Sequence, residues 1–186
     1  AQAPPAARTF VDLISHVEID LERDGRSTQT ATYRYQVLHE GLLERSKVFY
    51  ISHSSSIETS EVLEAYTLKP NGRKIPVPPG NYQRQTNTGV GNGGLAFSDR
   101  TRISVVFPDF AVGDAAHISY RISEKEPMFP GHFSQALRYS PYTRYADVRV
   151  TVRAPKEMKL HSEAYYLQPQ KPTEAHGKQV LEWRYR

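Results

Sequence analysis

Val11-Asp12-Leu13-Ile14-Ser15-His16-Val17-Glu18-Ile19-Asp20-Leu21-Glu22 alternates between apolar and polar residues. Successive side chains of an extended chain point to opposite faces. Val11, Leu13, Val17, Ile19 and Leu21 therefore share one face, with His16, Glu18, Asp20 and Glu22 on the other. Asp24-Gly25 then supplies a turn, and Ala31, Tyr33, Tyr35 and Val37 continue the period of two. Residues 11–37 read as a β-hairpin.

The same pattern extends outward. Lys47 to Ile51 and Glu61 to Leu68 read as strands, and Pro70-Asn71-Gly72 as a turn returning into Ile75 to Val77, because asparagine and glycine tolerate positive φ. Alternation resumes at Ile103, Val105 and Phe107 and stops at Pro108. Asp109 to Asp114, which includes Gly113, turns the chain into a strand with Ala116, Ile118, Tyr120 and Ile122 inward. Ala146, Val148, Val150 and Val152 mark another strand, and Leu160 to Leu167 and Gln179 to Tyr185 a final pair joined through Gly177. Residues 78–100, proline- and glycine-rich with little apolar content, read as a long exposed loop, and Glu124 to Tyr142 as a second irregular stretch. No stretch of ten residues carries a 3.6 period, so helices are expected to be short and few. The expected architecture is an all-β antiparallel sandwich of about ten strands with long loops and little helix. It forms a single domain over residues 10–186, with Ala1 to Thr9 as a flexible arm.

Composition bounds the function. The chain has 186 residues, enough for one domain with a core that stands without staples. A hydrophobic fraction of 38% argues against disorder, and no apolar run approaches the ~18 residues that cross a bilayer as a helix. Cysteine is absent, which excludes disulfides, thiolate metal sites and a cysteine nucleophile within this chain. The net charge of +4 can be found wholly in residues 138–159. There Arg138, Arg144, Arg149, Arg153, Lys156 and Lys159 stand against Asp147 and Glu157. Such a patch suits an anionic partner, and falls far short of a nucleic-acid-binding charge density. The small, proline-bearing segment Ala1-Gln2-Ala3-Pro4-Pro5-Ala6-Ala7 resembles the stretch left after signal-peptide cleavage. The expected location is periplasmic or secreted, with the signal peptide removed.

Several motifs reduce to structure. Gly89-x-Gly91-x-x-Gly94 matches the dinucleotide-binding pattern, but that chemistry needs an alternating strand before it and a helix after it. The flanks Gln83 to Thr88 and Leu95 to Asp99 supply neither. His16, His39, His53, His117, His132, His161 and His176 include no pair at the short spacing of a zinc site, and are expected to be solvated. His53-Ser54-Ser55-Ser56 lacks the strained elbow of a nucleophile and reads as a polar turn. The pairs Arg34-Tyr35, Tyr120-Arg121, Arg138-Tyr139, Arg144-Tyr145 and Tyr185-Arg186 are expected to place a buried ring beside an exposed cation. On an open sheet face they could instead stack on sugars and hold carboxylate or phosphate.

The segment Phe107-Pro108-Asp109-Phe110-Ala111-Val112-Gly113-Asp114-Ala115-Ala116-His117-Ile118-Ser119-Tyr120 resembles a stretch of a bacterial domain of unknown function. In exported proteins that domain lies N-terminal to transglutaminase-like domains. Ala65 to Ile75, containing Pro70-Asn71-Gly72, is similar to its hairpin, Pro127 to Phe133 to its proline–glycine–aromatic turn, and Val148 to Pro155 to its proline-terminated strand. These pieces fall in matching order over residues 10–186. The resemblance implies a domain that carries no active site. The cysteine–histidine–aspartate set would belong to a transglutaminase-like domain following Arg186.

Together these readings anticipate a non-catalytic accessory domain needing no cofactor and no metal. Its partner would be the downstream domain, against which it packs or to which it presents substrate; an envelope protein or polysaccharide is a further candidate. Asn71, Gly72, Gly113 and Asp114 are expected to be structural turn residues. Arg149 and Arg153, which alternation places on one face with Thr151, and nearby Arg144 are the expected anion-binding or docking residues. The alternative is an independent module binding anionic glycan or envelope polymer.

Overall fold

The computed structural model describes residues 10–86, 99–127, 129–140 and 143–185. The arm expected at residues 1–9 and the glycine motif at 89–94 lie outside them. Among the described residues there are thirteen strands in two sheets.

The hairpin that opens the chain is present. Strand β1 (Phe10–Leu21) pairs antiparallel with β2 (Ser27–Val37) through the turn at Asp24-Gly25. A bulge between Asp12 and Ile14 breaks the alternation, so Val11 faces with Gln36 instead of with Val17, Ile19 and Leu21. A helical turn, Glu40–Leu42 continuing into Leu43–Ser46, comes next. The Tyr35 hydroxyl ties it down by donating to the Ser46 carbonyl at 2.9 Å. Then come β3 (Val48–Ser54), β4 (Glu58–Leu68) and β5 (Lys74–Pro76). A 3-10 turn at Pro79–Asn81 leads into β6 (Tyr82–Thr86), and the chain continues with β7 (Arg100–Val106) and β8 (Ala115–Glu124). The second half holds β9 (Arg144–Tyr145), β10 (Val148–Pro155), β11 (Leu167–Pro169), β12 (Thr173–Ala175) and β13 (Lys178–Tyr185).

The large sheet runs β11-β13-β10-β1-β2-β8-β4-β5, with β12 on β13 and β9 on β1; the small sheet is β3-β7-β6. The small sheet packs on the inner face of the large sheet. There Tyr33, Tyr35 and Tyr120 meet Phe49, and Phe107 stands edge-on to Tyr35. Phe133, Leu137, Met158 and Leu160, all from loops, add to the same core beside Val152, Ala154 and Trp183. The all-β sandwich is thus the observed fold.

Several details depart from expectation. The sheet is not purely antiparallel, since β1 pairs in parallel with both β10 and β9. Residues 82–86, read as loop, form β6, because a polar strand at a sheet's edge needs no apolar face. Leu160 to Leu167 is not a strand; pairing begins only at Leu167, and Leu160 reaches the core from a loop. The strand anticipated from Ala146 begins at Val148.

Candidate functional site: the outer face of the large sheet

The other face of the large sheet carries polar side chains in rows set by register. In one row Arg184 lies opposite Arg149, which lies beside His16, then Thr32, Ser119 and Glu64. A parallel row runs Glu182, Thr151, Glu18, Thr30, Arg121 and Glu61. A third places Arg34 against His117 and His117 against Tyr66. Residues directly opposite in neighbouring strands project on the same side.

Most charges here are matched within the chain. His16 Nε2 lies 2.7 Å from an Asp147 carboxylate oxygen. Arg153 contacts Glu18 at 2.7 Å and Asp20 at 3.4 Å, and those acids hold its guanidinium even more firmly protonated than usual. Arg121 faces Glu61 at 3.8 Å, and Arg184 Nε donates to Glu182. Arg149 is different. Its Nε is buried without a hydrogen-bond partner among the described residues, and its direct cross-strand neighbour is the like-charged Arg184. The arginines grouped by the sequence therefore separate: Arg153 is neutralised in place, Arg149 has no carboxylate partner among the described residues, and Arg144 sits exposed on β9. Arg184 was missed because strand pairing, not spacing, brings it to Arg149. The basic content of 138–159 was legible; which of its cations would already be matched was not.

A second cluster occupies the β2–β8–β4 side. The His117 and Tyr66 rings stack at 4.6 Å with planes 20° apart, and both residues are buried. Arg34 Nε donates to His117 Nδ1 at 3.4 Å, and its Nη2 donates to the Tyr66 hydroxyl at 3.0 Å. Lys74 Nζ stands 4.4 Å from the Tyr66 ring centroid, and Glu64 lies 3.3 Å from His117 Nε2. Burial, followed by the charge of Arg34, lowers the His117 pKa, and with Nδ1 accepting from Arg34 the ring turns its Nε2 toward Glu64. The expectation of solvated histidines is corrected here and at His53, which is 5% exposed with its pKa lowered mainly by burial.

His53 finds a serine, though not one adjacent in sequence: its Nδ1 lies 3.1 Å from Ser60 Oγ across β3 and β4. A cleft of about 370 Å³ opens beside Ser60, lined by Val62, Tyr82, Gln83, Arg84 and Ile103. Ser54, Ser55 and Ser56 instead bond Asp99. Among the described residues no group of three His, Asp or Glu side chains is placed to hold a metal ion.

The turn residues take local roles. Asn71 Oδ1 accepts from the Arg73 amide at 3.0 Å, while Gly72 and Gly113 adopt φ of +85° and +92°. Asp114, 3% exposed, accepts from the Ala111 amide and from Lys69 Nζ, each at 2.8 Å.

A family model described as a domain of unknown function with solved structure, DUF3857, matches residues 23–186. The chain belongs to the DUF3857 family. No curated protein matches it in sequence. Among solved structures, a "putative protease" from Parabacteroides distasonis superposes with a TM-score of 0.84 at 15% identity. The match covers 97% of this DUF3857 chain and 36% of that one. At that identity the likeness establishes the fold alone. Native yeast LTA4 hydrolase gives a TM-score of 0.42 at 12% identity, over 100% of this chain and 29% of that one. An M1 zinc metallopeptidase from Deinococcus radiodurans gives 0.40 at 12%, over 96% and 39%.

Proposed function

We propose that this DUF3857 domain is a non-catalytic accessory module of a longer, exported transglutaminase-like protein, and that the outer face of its large sheet packs against the downstream domain. The observation that carries this reading is Arg149. Its Nε is buried without a partner among the described residues, beside the like charge of Arg184, while neighbouring His16, Arg153 and Arg121 each lie within 4 Å of a carboxylate. A buried donor without an acceptor costs about 1–3 kcal/mol, and an arriving carboxylate removes that cost. The superposition on a much longer chain called a protease supports a part played within a larger protein. Absence of cysteine supports the assignment of any cysteine chemistry to another domain.

The test is arginine-selective labelling with phenylglyoxal, read by mass spectrometry, on residues 1–186 and on the natural full-length protein. Docking predicts that Arg149 and Arg184 react in the former and are shielded in the latter. Equal reactivity refutes it. The polymer-binding alternative predicts salt-sensitive micromolar affinity of the isolated domain for anionic polysaccharide, lost in an Arg149→Ala, Arg184→Ala double variant; that result would overturn docking.

A further inference from the structure

We propose that Arg34, Tyr66 and Lys74 form a receptor for a single oxyanion, carboxylate or phosphate, on the outer face of the large sheet. The three side chains come from β2, β4 and β5 and meet at Tyr66, Arg34 at its hydroxyl and Lys74 over its ring. Tyr66 is 3% exposed, held between the His117 ring and the Lys74 ammonium. Its hydroxyl oxygen accepts from Arg34 Nη2. A guanidinium has no acceptor, so the hydroxyl's own proton must be given elsewhere. Among the described residues nothing receives it. A hydroxyl that accepts from one cation and has no acceptor for its own proton offers that proton to an incoming anion.

Arg34 is in the same position. It spends Nε on the neutral imidazole of His117 and one Nη2 proton on Tyr66, both uncharged acceptors. Glu64 lies at the far imidazole nitrogen, 3.3 Å from His117 Nε2, and forms no ion pair with Arg34. No carboxylate among the described residues forms an ion pair with Arg34 or Lys74. The cluster therefore presents a guanidinium fixed by two hydrogen bonds, a phenol proton and an ammonium, and offers donors only. An anion with several lone pairs satisfies all three. Fixing the guanidinium before the ligand arrives removes much of the ordering cost of binding. A metal ion is repelled by both cations.

The receptor shares no residue with the docking face around Arg149, so each can fail without the other. The test titrates residues 1–186 with sodium acetate, sodium phosphate and, as a control, sodium chloride, at constant ionic strength. The readout is NMR shifts of the Arg34 Nε–H and of the backbone at residues 34, 66, 74 and 117. A saturable shift is expected with at least one oxyanion and not with chloride. Saturation by acetate alone identifies a carboxylate source, and by phosphate alone a phosphate source. Tyr66→Phe keeps the stacked ring and should weaken binding about tenfold. Lys74→Met should weaken it as well. Thermal melts of each variant establish that the fold is retained. A shift shared with chloride, no saturation by either anion, or unaltered affinity in Tyr66→Phe would each overturn the proposal.

Discussion

Replacing Gly25 and Gly72 separately by alanine should give unequal losses of stability, and the inequality measures how the loop at residues 129–133 is seated. Both glycines have positive φ, +94° at Gly25 and +85° at Gly72. An L-residue held there loses about 1–2 kcal/mol from backbone strain alone. At Gly72 a new Cβ meets nothing within 4 Å, so strain is the whole cost. At Gly25 it meets the His132 nitrogen and oxygen at 3.1 Å and the Gly131 nitrogen at 3.2 Å. These are backbone atoms of a loop fixed by the Gly131 amide donating to the Asp24 carbonyl at 2.9 Å, and Phe133 packs on the core just beyond. Such overpacking costs roughly another 1–3 kcal/mol. Gly72→Ala should lower the melting temperature by about 2–8 °C, and Gly25→Ala should lower it further, given about 2–4 °C per kcal/mol at this size. Urea unfolding with a common m-value is the assay. Equal losses would show that the loop does not rest on the first hairpin turn, and no loss at Gly72 would refute the left-handed turn.

Stability should also fall as pH drops below about 6.5, the ordinary histidine value, because the lowered pKa values of His53 and His117 let the unfolded chain take up protons first. In a urea series from pH 8 to 5, a His53→Gln, His117→Gln double variant should show a flatter profile. The groups acting on His117 are Arg34 and Lys74, which oppose its protonation, and Glu64, which favours it; on His53 they are Arg84 and Lys125 against Glu58. Asp114→Ala should cost about 1–3 kcal/mol in urea unfolding, since it strips a buried acceptor from the Ala111 amide and from Lys69. Arg153→Met, whose partners Glu18 and Asp20 remain about half exposed, should cost under about 1 kcal/mol.

The parts of the fold that could be read from the sequence were local. Val17, Ile19 and Leu21 against His16, Glu18 and Asp20 define β1 without reference to the rest of the chain, and Asn71-Gly72 defines its turn in the same way. The bulge at residues 12–14 was hidden because one extra residue leaves composition unchanged while reversing faces. Strand β6 was hidden because Tyr-Gln-Arg-Gln-Thr has neither apolar alternation nor strong turn residues. The candidate site was half legible. Alternation placed Arg149 and Arg153 on one face, but the partners that neutralise Arg153 lie on β1 and the neighbour of Arg149 on β13. The cluster around Tyr66 joins residues 34, 66, 74 and 117 from four strands. Its assembly depends on register, which no single segment encodes.

The parallel seam between β1 and β10 bears on how the chain is made. Ser15 pairs with Val148, 133 positions later, whereas the other edge of β1 finds β2 within a few residues. At ribosomal rates of about 5–20 residues per second, that second edge waits roughly 7–27 s for its partner. An open edge is a template for other chains, and charged side chains along it discourage such pairing. His16, Glu18 and Asp20 are therefore useful before the fold is complete: they guard the nascent edge, and the two acids are then taken up by Arg153 when β10 arrives.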